Sequence, residues 1–213
     1  MLTRIGVTGG MGSGKSEVCK RVSSFGVPVL FADLIANRLT ESDPVIRKKI
    51  ISLFGSESYS AADGMLRREY IARLAFGNRD NLLALNSIVH PAVLKAIDHE
   101  VRTIEKKLER GYIVVEAPVM FESGLNKKLD YVLAVVAEDA LRIDRTRRRS
   151  NLTEEQIRLR MQNQFPVDET IAASDFALYN NGSIDELYKK VDFFHSIFST
   201  LQQLVKKNHG HPR

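Results

Sequence analysis

One glycine-rich segment near the N-terminus constrains the fold of this chain more than any other feature. Residues 9–16 read Gly-Gly-Met-Gly-Ser-Gly-Lys-Ser, a full match to the phosphate-binding pattern G-x-x-x-x-G-K-[ST]. The preceding residues 4–8 are a short, largely apolar run that predicts a buried strand, and residues 17–25 place Val18, Val22 and Phe25 on one helical face. The order strand, loop, helix is the setting of a P-loop, so the sequence predicts a nucleotide-binding protein.

The chemistry of this loop favours a nucleoside triphosphate. Glycines let the backbone curl with its N–H groups pointing inward, and the helix N-terminus adds partial positive charge. Such a nest suits the α- and β-phosphates. Lys15 is then expected to reach the β- and γ-phosphates, and the Ser16 hydroxyl to ligate Mg²⁺. A glycine-rich turn without a ligand is the alternative that the flanking pattern disfavours.

Length and composition limit the class of protein further. At 213 residues the chain suits one α/β domain or a core with a modest insertion, and its hydrophobic fraction of 44% excludes a disordered chain. The apolar stretch at residues 131–137 is too short to span a bilayer, and the N-terminus enters the first strand without room for a secretory signal. The single cysteine, Cys19, is expected to be a small buried packing residue. We therefore expect a cytoplasmic protein with no membrane partner.

A βα alternation continues after the P-loop. Apolar runs predict four further strands, at residues 27–32, 112–116, 130–136 and 175–179. Helical patterns separate these strands, so we expect a five-stranded parallel sheet flanked by helices, the P-loop NTPase fold. The nucleotide-binding core is assigned to residues 1–33, 112–141 and 165–213.

Residues 34–111 separate the second and third predicted strands, far more than one crossover helix needs. Their apolar residues recur at helical spacing, and Pro91 is expected at the first position of a long helix that runs to Leu108. We interpret this segment as a helical insertion that holds the acceptor of a phosphotransferase.

A cluster of five arginines lies within eight residues: Arg142, Arg145, Arg147, Arg148 and Arg149. No aromatic residue is interleaved for base stacking, so arginines directed at phosphate explain the cluster better than nucleic-acid binding does. Some of the five are expected to form only a solvated face. Thr153 and Gln156 follow in a capping-box pattern. We interpret residues 142–164 as a mobile lid that closes over the γ-phosphate and excludes water.

Asp33 follows the second predicted strand, which we expect to lie beside the P-loop strand, where open α/β sheets place their chemistry. A carboxylate there can accept a proton from the acceptor hydroxyl, orient that hydroxyl, or contact Mg²⁺ through water. The alternative is a helix N-cap for the residues that follow. His90 is as consistent with a capping or core role as with a substrate contact.

The sequence lacks the signature motifs of other classes of P-loop protein. The sequence holds no N-K-x-D stretch for reading guanine, and no apolar strand ends in the Asp-Glu pair of a water-activating ATPase. A kinase therefore fits best. Another P-loop nucleoside or nucleotide kinase, and a non-catalytic ATP-binding switch, stay open as alternatives.

Taken together, these motifs resemble the dephospho-coenzyme A kinase family over nearly the whole chain. Besides the P-loop, the resemblance rests on Ala32-Asp33, residues 85–91 ending in His-Pro, Ala117 to Glu122, Arg145 with Arg149, Arg160 to Gln164, and Ser174-Asp175 leading to Asn180-Asn181-Gly182. The P-loop is generic, whereas the spaced set of Asp33, His-Pro, Pro-x-x-Phe-Glu and Arg-x-x-x-Arg is particular. The chain departs from the family pattern at Phe31, where an Asp is usual, and at Glu17, where Ser or Thr is common.

The resemblance implies ATP-dependent phosphorylation of the ribose 3′-hydroxyl of dephospho-CoA, the final step of CoA synthesis. It implies Asp33 as catalytic base, Lys15 and Arg145 as catalytic cations, and Ser16 as the Mg²⁺ ligand. The residues implied for ATP, with the adenine near Asn180, are Gly12, Ser13, Gly14, Lys15, Ser16, Glu17, Arg149 and Asn180. The residues implied for dephospho-CoA, in the cleft between the insertion and the sheet, are Asp33, His90, Pro118, Phe121, Glu122 and Arg160. We expect ATP and dephospho-CoA as partners, no nucleic acid, and a monomer, with an oligomer left open.

Overall fold

The structure, a computed structural model, describes residues 2–108 and 110–208. Five strands form one parallel sheet in the order β2-β3-β1-β4-β5. Their bounds are β1 Thr3–Thr8, β2 Val29–Phe31, β3 Tyr112–Glu116, β4 Tyr131–Val136 and β5 Phe176–Tyr179. The predicted five-stranded parallel α/β sheet is confirmed, with strand ends within one residue of the prediction except for β2.

The strand β1 occupies the centre of the sheet. It pairs in parallel with β3 on one side and with β4 on the other, so that Ile5 faces both Val114 and Tyr131. β3 is buried along its whole length, and β4 is buried except at its first residue. Continuous burial on both faces explains why these strands read as unbroken apolar runs rather than as alternating ones. The carboxyl ends of the central strands therefore form a rigid base for the loop that follows β1.

Helices connect and flank the strands. Their bounds are α1 Lys15–Ser23, α2 Ala32–Ser42, α3 Pro44–Phe54, α4 Arg68–Phe76, α5 Arg79–Glu105, α6 Asp139–Arg149, α7 Glu154–Gln162, α8 Val167–Ala172 and α9 Ile184–Asn208. The predicted capping box opens α7, because Thr153 accepts from the Gln156 N–H and Gln156 accepts from the Thr153 N–H. Within the described ranges, no helix is long and apolar enough to cross a membrane.

The chain divides into two compact units. The first unit combines Met1–Leu30 with Thr103–Arg213, and the second unit is Phe31–Arg102. The second unit has its own apolar core, formed by Ile46, Ile50, Phe54, Tyr59, Ile71 and Ala75. The predicted limits of the insertion at 34–111 and the lid role of 142–164 stay predictions. The last part of the predicted core, residues 209–213, lies outside the described residues.

The position of β2 differs from the expectation. β3, not β2, lies beside the P-loop strand β1, and β2 forms the edge of the sheet and begins only at Val29. The difference has a simple physical reason, since β3 is fully buried whereas β2 is only half-buried along its three residues. The longer strand β3 lies between β2 and β1 even though it comes later in the chain, because its five buried residues bury more surface than the three half-buried residues of β2.

The predicted helix start at Pro91 is wrong. α5 is one helix from Arg79 to Glu105 with Pro91 inside it. A proline in a helix interior removes one hydrogen bond and is locally unfavourable. Residues on both sides of Pro91 pack on the apolar core of the second unit, namely Leu85 and Ile88 before it and Ala92 after it. Continuous burial of one helix face therefore outweighs the local cost of the proline.

Candidate active site

The loop between β1 and α1 has the backbone of a phosphate nest. Gly12 and Gly14 have φ angles of 76° and 104°, in the left-handed region that favours glycine. Neighbouring groups also approach closely: a Cβ at position 12 would lie 2.4 Å from the Arg142 carbonyl oxygen, and one at position 14 would lie 2.2 Å from Asn180 Nδ2. Glycine is therefore required at positions 12 and 14 by backbone angle and by packing.

Lys15 begins α1 and folds back over the loop. Its Nζ donates to the Gly9 carbonyl oxygen at 2.7 Å and to the Gly10 carbonyl oxygen at 3.1 Å. The ammonium group is thus held at the Gly9–Gly10 end of the loop. Ser16 follows on the first turn of α1 and is exposed, so its hydroxyl is accessible to a ligand.

Four of the eight residues predicted to bind the nucleotide meet at one cavity of about 450 Å³. We call it the Asn180 cavity; its lining includes Gly14, Glu17, Arg145, Arg149 and Asn180. Asn180 is 5% exposed and donates from Nδ2 to the Ser13 carbonyl oxygen at 2.8 Å, so it also holds the loop in place. The tertiary structure thus brings the P-loop, α6 and the end of β5 to one site.

Unpartnered polar atoms cluster around the same loop. In the part of the chain that the structure describes, the buried side-chain atoms without a hydrogen-bond partner include Ser13 Oγ, Arg145 Nη1 and Thr146 Oγ1. Thr146 lies against the loop, since a Cβ on Gly12 would come within 2.8 Å of its Oγ1. Buried donors are almost always paired in native proteins. Among the described residues, these two hydroxyls and one guanidinium nitrogen fit a site whose missing acceptors are supplied by an anionic ligand.

Arg142 has a role that sequence reasoning missed. It is 8% exposed, and it donates from Nε to the Met11 carbonyl oxygen at 3.0 Å and from Nη1 to Asp139 at 2.8 Å. Gln164 Oε1 accepts from Arg142 Nη2 and from the Met11 N–H, each at 3.0 Å. We call these contacts the Arg142–Gln164 network. It ties the tip of the P-loop to α6 and to the segment after α7, and the only sequence signal for it was the position of Gln164 in the family motif.

The remaining arginines of the cluster separate by environment. The Arg147 and Arg148 side chains are 62% and 77% exposed, and both form ion pairs with Asp144. The predicted solvated face is therefore confirmed for these two residues. Arg160 is also exposed, on the last turn of α7. Its predicted contact with the substrate stays a prediction.

Replacing Gln164 by leucine is expected to lower the free energy of unfolding by about 1–3 kcal/mol, because the buried Arg142 loses an acceptor and the Met11 N–H is left unpaired. The matched control is Gln164→Glu, which keeps an acceptor oxygen in the place of Oε1 and should retain most of that stability. Urea unfolding of the ligand-free protein provides the measurement. Equal stability of the leucine variant and the parent would contradict the network.

Asp33 and His90 both lie in the second unit. Asp33 is in the first turn of α2, whose N-cap is Phe31, so the alternative of an Asp33 N-cap is wrong. A carboxylate in a first turn is nonetheless favourable, because it meets the positive end of the helix dipole. His90 is half-buried within α5, and burial lowers its pKa. At neutral pH the imidazole is therefore neutral, so it offers a hydrogen bond rather than a positive charge.

The turns after β3 hold the other predicted substrate residues. Pro118 and Phe121 are half-buried and Glu122 is exposed. The Phe121 ring contacts the Phe165 ring, with 5.6 Å between centroids. Just before these turns, Glu116 ends β3 in register with Val7 of the P-loop strand and is 8% exposed. A buried carboxylate at this place is a second feature that the sequence did not single out.

Cys19 lies in α1 as the predicted buried packing residue. Burial raises its pKa to about 12; the Glu116 carboxylate adds to this shift, and the Lys15 ammonium opposes it. The group is therefore a thiol, not a thiolate, at physiological pH. We expect no reaction with a disulfide reagent at pH 8 in the native state and rapid reaction in urea. Rapid labelling of the native protein would contradict this environment.

The fold and the site together define a class. This chain has three features of a P-loop kinase: a parallel sheet in the order 2-3-1-4-5, a P-loop after the central strand, and an arginine-bearing helix after β4. The family model described as Dephospho-CoA kinase matches residues 3–186. The chain belongs to the dephospho-CoA kinase family, whose members phosphorylate dephospho-CoA with ATP in the final step of CoA synthesis.

Individual relatives agree with this assignment. A dephospho-CoA kinase of Chlorobaculum tepidum is 37% identical over 205 residues, which cover 95% of this chain and 96% of the relative. The crystal structure of TT1252 from Thermus thermophilus superimposes with a TM-score of 0.77 at 33% identity, over 91% of this chain and 96% of that one. A dephospho-CoA kinase from Campylobacter jejuni shares the fold with a TM-score of 0.71 at 24% identity, over 94% of this chain and 98% of its own.

Proposed function

We propose that this chain transfers the γ-phosphoryl group of MgATP to the ribose 3′-hydroxyl of dephospho-CoA, giving CoA and ADP, with the residues assigned below. The observation that carries the site assignment is the Asn180 cavity. There the P-loop meets Arg145 and Arg149, and Arg145 Nη1 is a buried donor that has no hydrogen-bond partner among the described residues. A kinase positions its reactants and neutralises their negative charge. Here the P-loop can position the phosphates, and the two arginines can neutralise their charge.

The reaction balances with the groups available. The 3′-oxygen of the acceptor forms a bond to the γ-phosphorus, and the bond from that phosphorus to the bridging oxygen of ADP breaks. The hydroxyl proton passes to the Asp33 carboxylate as the base. Lys15 and Arg145 oppose the negative charge on the transferred group, and ADP leaves with its own charge held at the loop.

The donor is assigned to the P-loop and the Asn180 cavity. The loop from Gly12 to Ser16 binds the phosphates, Glu17 lines the same site, Arg149 adds a cation, and the adenine lies beside Asn180. In the part of the chain that the structure describes, no group of three His, Cys, Asp or Glu side chains could hold a metal by itself. The exposed Ser16 hydroxyl fits Mg²⁺ as one oxygen ligand among phosphate and water oxygens, where the ion would neutralise phosphate charge.

The acceptor is assigned to the family positions His90, Pro118, Phe121, Glu122 and Arg160. A neutral His90 suits hydrogen bonding to an uncharged part of the acceptor, and Arg160 suits one of its phosphates. The cytoplasmic location, the monomeric state and the absence of a nucleic-acid partner, all expected from the sequence, are retained here as proposals.

The direct test incubates the purified protein and MgATP with dephospho-CoA, adenosine, AMP or no acceptor. ADP and the phosphorylated acceptor are both identified by mass. We expect CoA to form selectively and in step with ADP. Product from adenosine or AMP alone would favour another nucleoside or nucleotide kinase. ATP binding without transfer to any acceptor would favour a switch.

A further inference from the structure

Both substrates of the proposed reaction carry an adenosine, so the site needs two places for an adenine. The present inference rests on that proposed function. In the acceptor, the base is attached to the same ribose whose 3′-hydroxyl reacts. Its adenine must therefore lie about one sugar ring away from the transferred phosphorus, close to the P-loop.

The two ends of the P-loop face different substrates, the donor at one end and the acceptor at the other. The Asn180 cavity is lined by Gly14 and Glu17, at the helix end of the loop. The Lys15 ammonium lies at the other end, on the Gly9 and Gly10 carbonyl oxygens. Since the P-loop lysine serves the β- and γ-phosphates, the γ-phosphate points toward Gly9 and Gly10, away from the donor adenine.

A second cavity of about 370 Å³ opens at that end of the loop. We call it the Gly10 cavity; Gly9, Gly10 and Ser13 form one side of it. The end of β4, the start of α6 and the segment from α7 to α8 form the rest. In that segment Met161, Phe165 and Val167 contribute apolar surface and Gln162 an amide. Ser13 Oγ, which has no partner among the described residues, belongs to this lining. The charged side chains of Asp139, Arg142 and Arg158 also line the cavity, so its walls are both apolar and polar. Its volume is in the range of small-ligand sites.

We propose that the Gly10 cavity binds the adenine of dephospho-CoA, with the Phe165 ring stacked on the base. An aromatic ring is the usual platform for a nucleobase, and a glutamine amide such as Gln162 matches the N6/N7 edge of adenine. Phe121 contacts Phe165 from the turns after β3, with the two ring planes 36° apart. Phe121 is then a positioning residue that holds the stacking ring.

The test compares Phe165→Ala with Phe165→Tyr, which keeps the ring. The alanine variant should raise KM and Kd for dephospho-CoA about 10-fold, as expected for a lost base–aromatic stack, while KM for ATP changes less than about 2-fold. The tyrosine variant should stay within about 2-fold of the parent for both substrates. Kd is measured by calorimetry with dephospho-CoA alone, which gives a readout independent of turnover.

A second variant guards against misfolding of the alanine protein. Val167 is 42% exposed and lines the cavity, so Val167→Trp fills the cavity without disturbing a buried core. It should also weaken dephospho-CoA binding selectively. Tyr188 lines the Asn180 cavity, which is assigned to ATP. Tyr188→Leu should therefore raise KM for ATP and leave Kd for dephospho-CoA unchanged.

The outcomes separate the two proposals. If the parent protein makes CoA but both cavity variants bind dephospho-CoA normally, the Gly10 cavity assignment is overturned and the proposed function stands. A rise in KM for ATP alone would assign the cavity to the donor and also overturn the inference. A parent protein that binds no dephospho-CoA would overturn the proposed function itself.

Discussion

Replacing Lys15 by alanine is expected to lower kcat/KM about 10³- to 10⁵-fold, the largest effect of any single substitution in this chain. A cation that meets the transferred phosphoryl group in its transition state contributes on this scale. The Lys15 ammonium already lies at the Gly9–Gly10 end of the loop, held by two carbonyl oxygens. On ATP binding, phosphate oxygens can take the place of these carbonyl oxygens, so the side chain is close to its working position.

Steady-state kinetics with dephospho-CoA and MgATP measures this loss, and urea unfolding confirms that the variant is folded. The control is Lys189→Ala, which removes an exposed lysine from α9 and should leave kcat/KM within about 2-fold. A Lys15→Ala enzyme with near-parental activity would refute the assignment of this loop as the phosphate site.

Replacing Asp33 by asparagine is expected to lower kcat about 10²- to 10⁴-fold with little change in ATP affinity, because the amide cannot accept the hydroxyl proton. The substitution keeps the size of the side chain and removes only its charge and basicity. Asp33 lies in the first turn of α2, so the loss of a favourable dipole contact must be separated from the loss of a base.

Asp185→Asn is the matched control, since Asp185 occupies the first turn of α9. Both variants lose a carboxylate at a helix N-terminus, and only Asp33→Asn should lose turnover. Rates are measured at saturating dephospho-CoA, and ATP binding is measured by calorimetry. Parental turnover in Asp33→Asn would reduce this residue to a structural role in α2.

Local sequence signals predicted the elements of the first unit well. The limits of β3 agree with the prediction, and α7 begins at its predicted capping box. These signals are short-range: continuous apolar runs for buried strands and a reciprocal hydrogen-bond pattern for a helix start. The interior Pro91 shows the limit of such signals, because packing on a distant core overrode a local preference.

The candidate site was predictable only in part. The phosphate loop and the arginine cluster could be assigned because each consists of residues that are adjacent in the chain. Only the family resemblance distinguished Arg145 from Arg142 in the sequence. The structure places Arg142 in the network with Gln164, whereas Arg145 lines the Asn180 cavity. Which arginine meets a ligand depends on the orientation of α6 against the loop, and that orientation is a tertiary property.

By itself, the sequence determined the class of this protein: a P-loop kinase on a parallel sheet, with a helical segment between its second and third strands. Such patterns can be detected in the sequence because they follow from backbone geometry and from periodic burial. Only the tertiary structure decided that β3 rather than β2 flanks β1, that Gln164 caps the loop, and that Phe121 supports Phe165. These contacts join residues far apart in the chain, and their partners are chosen by side-chain packing in three dimensions, which no local pattern encodes.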